Sequence, residues 1–544
     1  MARVRDEIIR EITEDYLEKI NPSNPPSPKQ IQEDLLLLIQ NQFELENVTR
    51  AKGNKLQLPQ KLSASQIADI ILRVHPVACI SCAGTAADRS YDLLAIYQTS
   101  GDNEGIYLSD DYAINAIIRS YCYTVPTKEI EEVKAVLKDT APRKTREDAR
   151  NLIAVNNGIF DFDTKRLLPF SKDHVFIAKS HVDYNPNAVN VTIYNPMDGT
   201  NWNVEEWMAE LFENEDMREC VWQVIGAIIR PNVRWGKSAW FYSNTGNNGK
   251  GTLCELMRCI CGEETYASIS LSDFSKEFTL EPLIHASAVI VDENDVGMYL
   301  DKAANLKAVI TNDVIQVNRK FKTPIAFQFR GFMVQCLNEY PKIRDRSDSF
   351  YRRQLFIPFE KSFTGHERKY IKDDYLHRKE VLEYVLFKVL NMDYYTIDVP
   401  QACEDALEEY KEFNDPVRQF IDEIFPELAW DVVPFRFLYD LYKVWFKQNI
   451  PNGIIQGRNV FIEDIVSVLP NVKGWYCPGK KTAIRPGNRM DEPEPLIAQY
   501  NLDDWKDPYY RGSDPKKIGR PPIPATTRGI MRISVPVSDK NENI

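Results

Sequence analysis

Thirteen residues limit this chain more than any others: Trp240-Phe241-Tyr242-Ser243-Asn244-Thr245-Gly246-Asn247-Asn248-Gly249-Lys250-Gly251-Thr252. An aromatic, strand-like run breaks into a Gly/Asn-rich loop with one lysine, and an apolar run of helical length, Leu253 to Ile260, follows. Strand, tight loop and helix in that order form a phosphate cradle. Consecutive backbone N–H groups converge on anionic oxygens, and the helix N-terminus adds partial positive charge. Gly246 and Gly249 let the backbone approach closely, and Lys250 is placed to reach the terminal phosphates. The loop departs from the common GxxxxGK[ST] pattern twice. Asn244 stands for the first glycine, a mild change because Asn tolerates left-handed angles. Gly251 stands where a metal-binding hydroxyl is usual, with Thr252 one residue later.

Downstream, Ala288-Val289-Ile290-Val291 runs into Asp292-Glu293. A buried parallel strand reads this way, and its C-terminal end is where ligands sit in an open α/β sheet. In a nucleotide-hydrolysing site Asp292 would hold Mg²⁺ and Glu293 would polarise the attacking water. A third apolar run, Gly331 to Leu337, ends in Asn338, an amide able to contact both phosphate and water. Tyr351-Arg352-Arg353 then precedes the strand-like Gln354 to Phe359. One arginine there can stabilise transition-state charge at a neighbouring subunit's nucleotide, and Arg353 is the first choice over Arg352. Between the second and third runs, residues 312–330 alternate around a tip holding Arg319, Lys320, Phe321 and Lys322. Cations with an interleaved aromatic suit a sugar-phosphate backbone and an unstacked base.

In this order the features resemble a superfamily 3 helicase, a branch of the AAA+ ATPases, and more narrowly the phage/plasmid primase–helicase group that includes the poxvirus helicase-primase. The resemblance covers roughly residues 200–365. It implies ATP and Mg²⁺ as cofactors, with Gly246, Asn247, Asn248, Gly249, Lys250, Gly251 and Thr252 around the nucleotide and Thr252 and Asp292 on the metal. It also implies a homo-hexameric ring in which Lys250, Asp292, Glu293 and Asn338 come from one subunit and the arginine from its neighbour. Asn156-Asn157-Gly158 to Asp163 and Asp183-Tyr184-Asn185-Pro186 are similar to the segment before the ATPase in phage and pathogenicity-island members. The implied partners are single- and double-stranded DNA at a replication origin, with a host primase or other replisome protein.

Composition sets wider bounds. At 544 residues the chain predicts several domains. The expected fold class is α/β, an AAA+ P-loop core between an N-terminal α+β region and a C-terminal winged-helix-like domain. The expected divisions are 1–85 (helical), 86–195 (α+β), 196–365 (ATPase core opening on a helical collar), 366–427 (helical connector), 428–505 (winged-helix-like) and 506–544 (basic tail). Ten cysteines lie scattered, with no leader-like opening segment, which predicts a reducing compartment, the bacterial cytoplasm under the resemblance. Cys79-Ile80-Ser81-Cys82 with His75 lacks the second pair that a zinc ribbon needs. No apolar run approaches membrane-spanning length, so no membrane partner is expected. The net charge of −12 is compatible with DNA, because a ring needs positive charge only along its channel.

Local charge says more. Residues 506–532 carry seven Lys/Arg against two Asp, a net of +5. Two helix-like runs, Phe437 to Phe446 and Asn459 to Leu469, precede a Gly/Pro-punctuated stretch with Lys480, Lys481 and Arg485. That order fits a winged helix whose wing lies on phosphates. Lys516-Lys517-Ile518-Gly519-Arg520-Pro521 resembles an AT-hook, in which Arg520 would enter an A·T minor groove. Three rival functions remain: a primase built on Asp161, Asp163 and His174, an origin-binding protein with a nucleotide switch and no motor, and an AAA+ packaging motor.

Overall fold

The structure, a computed structural model, describes residues 4–83, 88–320, 322–450, 455–514 and 525–533. The chain forms two compact units, Met1–Pro341 with Ser347–Ala406, and Lys342–Arg346 with Leu407–Ile544.

The first unit is built on a five-stranded, all-parallel sheet. Its spatial order is Tyr266–Ala267, Ala288–Val291 (the carboxylate strand), Phe332–Leu337 (the amide strand), Ser238–Tyr242 (the loop strand) and Gln354–Pro358. The carboxylate and amide strands are buried at every position, which is why their sequences read as unbroken apolar runs. The helix after the loop strand, Lys250–Cys261, buries Leu253, Cys254, Leu256, Met257, Ile260 and Cys261. That is one face of a 3.6-residue period laid against the sheet. Helix Lys379–Asn391 packs into the same core, which reaches Cys403, so the core expected to stop at 365 runs further along the chain.

Helices Val204–Leu211 and Glu215–Ile228 form at the start of the 196–365 region, where a helical collar is expected, each capped by an Asn side chain. In the second helix every residue from Cys220 to Ile228 is buried within this one chain, while Glu215, Asp216 and Glu219 at its start are exposed.

Upstream, a four-stranded sheet runs in the order Tyr107–Leu108, Leu93–Tyr97, Val77–Ser81, Arg143–Thr145. Val77–Ser81 pairs antiparallel with Leu93–Tyr97 and parallel with Arg143–Thr145. The expected boundary at residue 85 therefore crosses a sheet. Helices from both sides of it, among them Pro28–Thr49, Ala64–Val74 and Thr127–Thr140, share one core, so residues 1–85 are not a separate helical region.

The second unit holds helices Pro416–Ile424, Phe435–Asn449 and Arg458–Val468. A three-stranded antiparallel sheet, Val432–Pro434, Gly529–Arg532 and Trp475–Tyr476, completes it. Phe437, Tyr442 and Trp445 are buried with Phe420 and Phe461, so the helix aromatics are core, as their spacing predicts. Residues 529–532, expected in a tail, are the central strand of this sheet. The AT-hook segment, Arg520 included, lies outside the described residues.

Candidate nucleotide and nucleic-acid site

The loop leaves the C-terminal end of its strand and enters the helix through Gly249, the N-cap, at φ +90°. A side chain there would place its Cβ 2.5 Å from Leu211 Cδ2. The glycine is thus fixed by backbone angle and by space together. Asn247 is also left-handed (φ 51°), its carbonyl accepting from Phe363 N at 2.7 Å and its amide donating to Glu367 at 3.0 Å. These bonds set the loop against residues 363–367.

Lys250 is the first residue of the helix and is buried, its Nζ donating to Ser243 O at 3.4 Å across the loop. Burial lowers its pKa. An anion in the loop would relieve that penalty, which favours phosphate at this position.

The parallel sheet brings the other candidates to the same edge. Asp292 and Glu293 follow the carboxylate strand, Asn338 follows the amide strand, and all three are exposed. Because the amide strand lies between the other two, Asn338 sits between the carboxylates and the lysine loop. Asn294 secures the turn after Asp292-Glu293. It donates to Gln335 Oε1 (2.9 Å) and Cys336 O (3.0 Å) and accepts from Leu271 N (2.9 Å).

Asp292 is engaged by a residue that sequence reasoning missed. Arg258, two turns along the loop helix, meets its two oxygens at 3.0 and 3.3 Å. This bond, more than any other influence, holds the Asp292 carboxyl below the usual range, and the Lys372 ammonium adds to it. Gly251 faces Lys372: a Cβ there would stand 4.0 Å from its Nζ. An ammonium thus stands beside the position where a metal-binding hydroxyl is usual.

Thr252 looks into a cleft of about 350 Å³. Trp207, Leu211, Phe363 and Ile371 give it apolar walls, and Arg368, Lys369 and Lys372 line it as well. Apolar walls, cations and an adjoining glycine loop suit a nucleoside joined to phosphates. The donor set fits the phosphates of ATP. A divalent ion would be held by Asp292 after Arg258 yields, with Thr252 as the available hydroxyl, and would neutralise phosphate charge there.

Arg352 and Arg353 lie at the opposite edge of the sheet. Arg353 O accepts from Ser238 N, at the start of the loop strand. Neither arginine can serve the nucleotide of its own chain. Arg353 folds back onto the Ser349 carbonyl, whereas Arg352 is exposed. Of the pair, the residue that the sequence ranks second is thus the more exposed.

The expected hairpin forms from Val314–Arg319 and Lys322–Gln328, with Arg319 opposite Lys322 beside the tip. Lys320 is exposed at the turn. Phe321 lies outside the described residues. In the second unit, Lys480 and Lys481 are exposed between strand Trp475–Tyr476 and the bridge at Ile484, Arg485 is exposed just after that bridge, and Lys480 pairs loosely with Glu463 at 3.7 Å.

The alternative carboxylate site does not assemble. Asp161 accepts from Asn151 and Thr164 in a hairpin turn, Asp163 accepts from Tyr395, and His174 pairs with Glu147 at 2.7 Å. Likewise His75 bonds Tyr121, Cys79 donates to Lys138 O and Cys82 to Ile80 O, so these three do not converge on a metal.

Comparison with known proteins adds kinship to this geometry. Residues 107–213 match the family described as D5 N terminal like, and residues 412–506 match Poxvirus D5 protein-like. These D5-like segments stand on either side of the glycine loop at 243–249. Residues 241–353, from the loop to the arginine pair, match a family of unknown function, DUF5906. A putative helicase, 121R, of Invertebrate iridescent virus 3 is 21% identical over 359 residues, covering 57% of this chain and 37% of that protein. The chain therefore spans little more than a third of that relative's length. Among solved structures, the apo NrS-1 C-terminal region (305–718) aligns with TM-score 0.40 at 14% identity, over 81% of this chain and 92% of that one. Another apo structure of the NrS-1 C-terminal region aligns with TM-score 0.38 at 15% identity, over 74% and 85%. Likeness this loose carries no functional argument. Among the described residues, no helix is long and apolar enough to cross a membrane.

Proposed function

We propose that this chain is an ATP-driven DNA helicase related to the D5-like helicase-primases, working as a hexameric ring that melts and unwinds a replication origin of a phage, prophage or mobile island. The observation that carries the reading is the sheet order. It gathers Lys250, Asp292, Glu293 and Asn338 at one edge and sends Arg352 and Arg353 to the other. A site split in that way is completed by a second copy, and a ring closes the arrangement.

Within one site, backbone N–H groups of Gly246 to Lys250 hold the phosphates and Lys250 draws charge from the terminal one. Glu293 orients water, Asn338 contacts water and phosphate, and the neighbour's arginine meets the charge that develops in transfer. Lys372 supplies a further cation beside Gly251. The hairpin cations Arg319, Lys320 and Lys322 grip one strand of DNA. The exposed Lys480, Lys481 and Arg485 lie on duplex phosphates in the manner of a wing, and the order of helices and strands in the second unit supports a winged-helix reading.

The test is strand displacement on a forked duplex with ATP and Mg²⁺, beside Lys250→Ala. Unwinding by the wild type and not by the variant is expected. Equal hydrolysis by Lys250→Ala would overturn the site. Nucleotide binding without hydrolysis or unwinding would favour an origin-binding switch, the reading that Gly251 and the Arg258–Asp292 pair keep open.

A further inference from the structure

The loop helix has a second cluster on its outer face, distinct from the nucleotide edge. Glu255 and Cys259 are four residues apart, so they sit one above the other on one helical face. His377 closes the short 3₁₀ turn Tyr375–His377 and meets both. Its Nδ1 lies 3.4 Å from Cys259 Sγ, its Nε2 lies 3.6 Å from Glu255 Oε1, and Cys259 Sγ lies 3.9 Å from that same oxygen. One ligand atom from each of the three falls within 4.8 Å of the others.

Tetrahedral zinc bonds sulfur at about 2.3 Å and nitrogen or oxygen at about 2.0–2.2 Å, which sets its ligands roughly 3.3–3.7 Å apart. With Nδ1 as the ligand nitrogen Cys259 already stands at that separation, and Glu255, now against Nε2, would turn its flexible side chain to join them without rearrangement of the backbone. One thiolate, one imidazole and one carboxylate form a borderline-soft set that selects zinc over magnesium or calcium. Three protein ligands leave a fourth position for water.

We propose that Glu255, Cys259 and His377 form a zinc-binding site that ties the loop helix to the segment walling the nucleotide cleft. His377 follows Lys369, Ile371, Lys372 and Asp373, all of which line the cleft. A bound ion would fix that wall against the helix that begins at Lys250. Glu255 also approaches Arg258 at 3.5 Å. Zinc would take that carboxylate for itself and leave Arg258 to Asp292 alone. Binding of a divalent ion by the thiolate would release the thiol proton.

The test uses the full chain, stripped with a chelator and free of nucleotide, so its outcome is independent of the helicase reading. Co²⁺ is the spectroscopic probe and Zn²⁺ the competitor. One equivalent per chain is expected, with thiolate-to-cobalt charge transfer and tetrahedral ligand-field bands, both displaced by zinc. Cys259→Ser, nearly isosteric and on a half-buried site, should abolish the charge-transfer band. His377→Ala and Glu255→Gln should weaken binding by about tenfold or more. Cys477→Ser, in the other unit, should leave it intact. Circular dichroism of the metal-free variants checks that each is folded. Absence of the band in wild type, its survival in Cys259→Ser, or wild-type affinity in His377→Ala would each overturn the site.

Discussion

Arg258→Met is the most informative perturbation of the nucleotide edge. The wild-type guanidinium occupies both oxygens of Asp292, at 3.0 and 3.3 Å, so an incoming divalent ion must displace it. A well-buried charge-assisted hydrogen bond contributes about 1.5–3 kcal/mol. Here the Asp292 side chain is 40% exposed, so solvent screening moves the figure towards that of a surface pair. About 1 kcal/mol is a reasonable discounted value, equivalent to about fivefold in an equilibrium constant. Met keeps the apolar stem that Arg258 packs and removes only the competitor. Half-saturation by Mg²⁺ should therefore fall about fivefold in the variant. The assay is a Mg²⁺ titration of fluorescent ATP-analogue binding at fixed nucleotide, repeated at two salt concentrations. The gap between variant and wild type should narrow at high salt, because the lost pair is partly screened. An unchanged or raised half-saturation point would refute the competition. So would loss of hydrolysis with unaltered Mg²⁺ dependence, which would make Arg258 a participant.

Three further outcomes are expected. Gly249→Ala forces a methyl into a φ of +90° and to within 2.5 Å of Leu211 Cδ2. This costs about 2–4 kcal/mol at the loop, so nucleotide affinity should fall well over tenfold by fluorescence titration, while Gly246→Ala, which meets open space, should be far milder. Equal losses in the two would refute the packing argument. Arg352→Ala should reduce hydrolysis about 10³-fold with nucleotide binding kept, and Arg353→Ala should chiefly lower thermal stability by about 1 kcal/mol through the Ser349 contact. The reverse pattern in turnover assays restores the sequence ranking. Glu494 is buried, accepts from Ala429 N and Trp430 N, and has a raised pKa, chiefly from burial. Its folded state keeps the proton to higher pH than the unfolded state. Stability of that unit should therefore fall as pH rises from about 4.3 towards the raised value, then level off. Urea midpoints across that range should show a slope that Glu494→Gln removes, and parallel curves would contradict it.

The parts legible in the sequence were those written in contiguous residues. A glycine loop between strand and helix, an apolar run ending in two carboxylates, and alternation around a basic tip each carry their own period. Arg258 was not legible, because a helix residue eight positions after Lys250 meets Asp292 only once the sheet has formed. Lys372 and the cleft walls come from 204–211 and 363–373, which no local pattern joins. The strand Gly529–Arg532 was hidden by the basic, Pro-rich composition before it. Pairing with Val432–Pro434 on one side and Trp475–Tyr476 on the other makes it a strand, and there Gly529 lies so close to Val433 O that a Cβ would stand 2.0 Å from it. For the two arginines, position before the strand was readable, but the contact of Arg353 with Ser349 was not.

The hairpin and Asn338 lie at opposite ends of one continuous piece of chain. Between them stands the amide strand, six residues and about 20 Å long, paired on both sides and buried throughout. At its foot Gly331 presses so near the Ser287 carbonyl that even a methyl group would be 2.2 Å away. That contact pins the start of the strand. Under the proposed function, load on the basic tip would reach Asn338 along a short and stiff path.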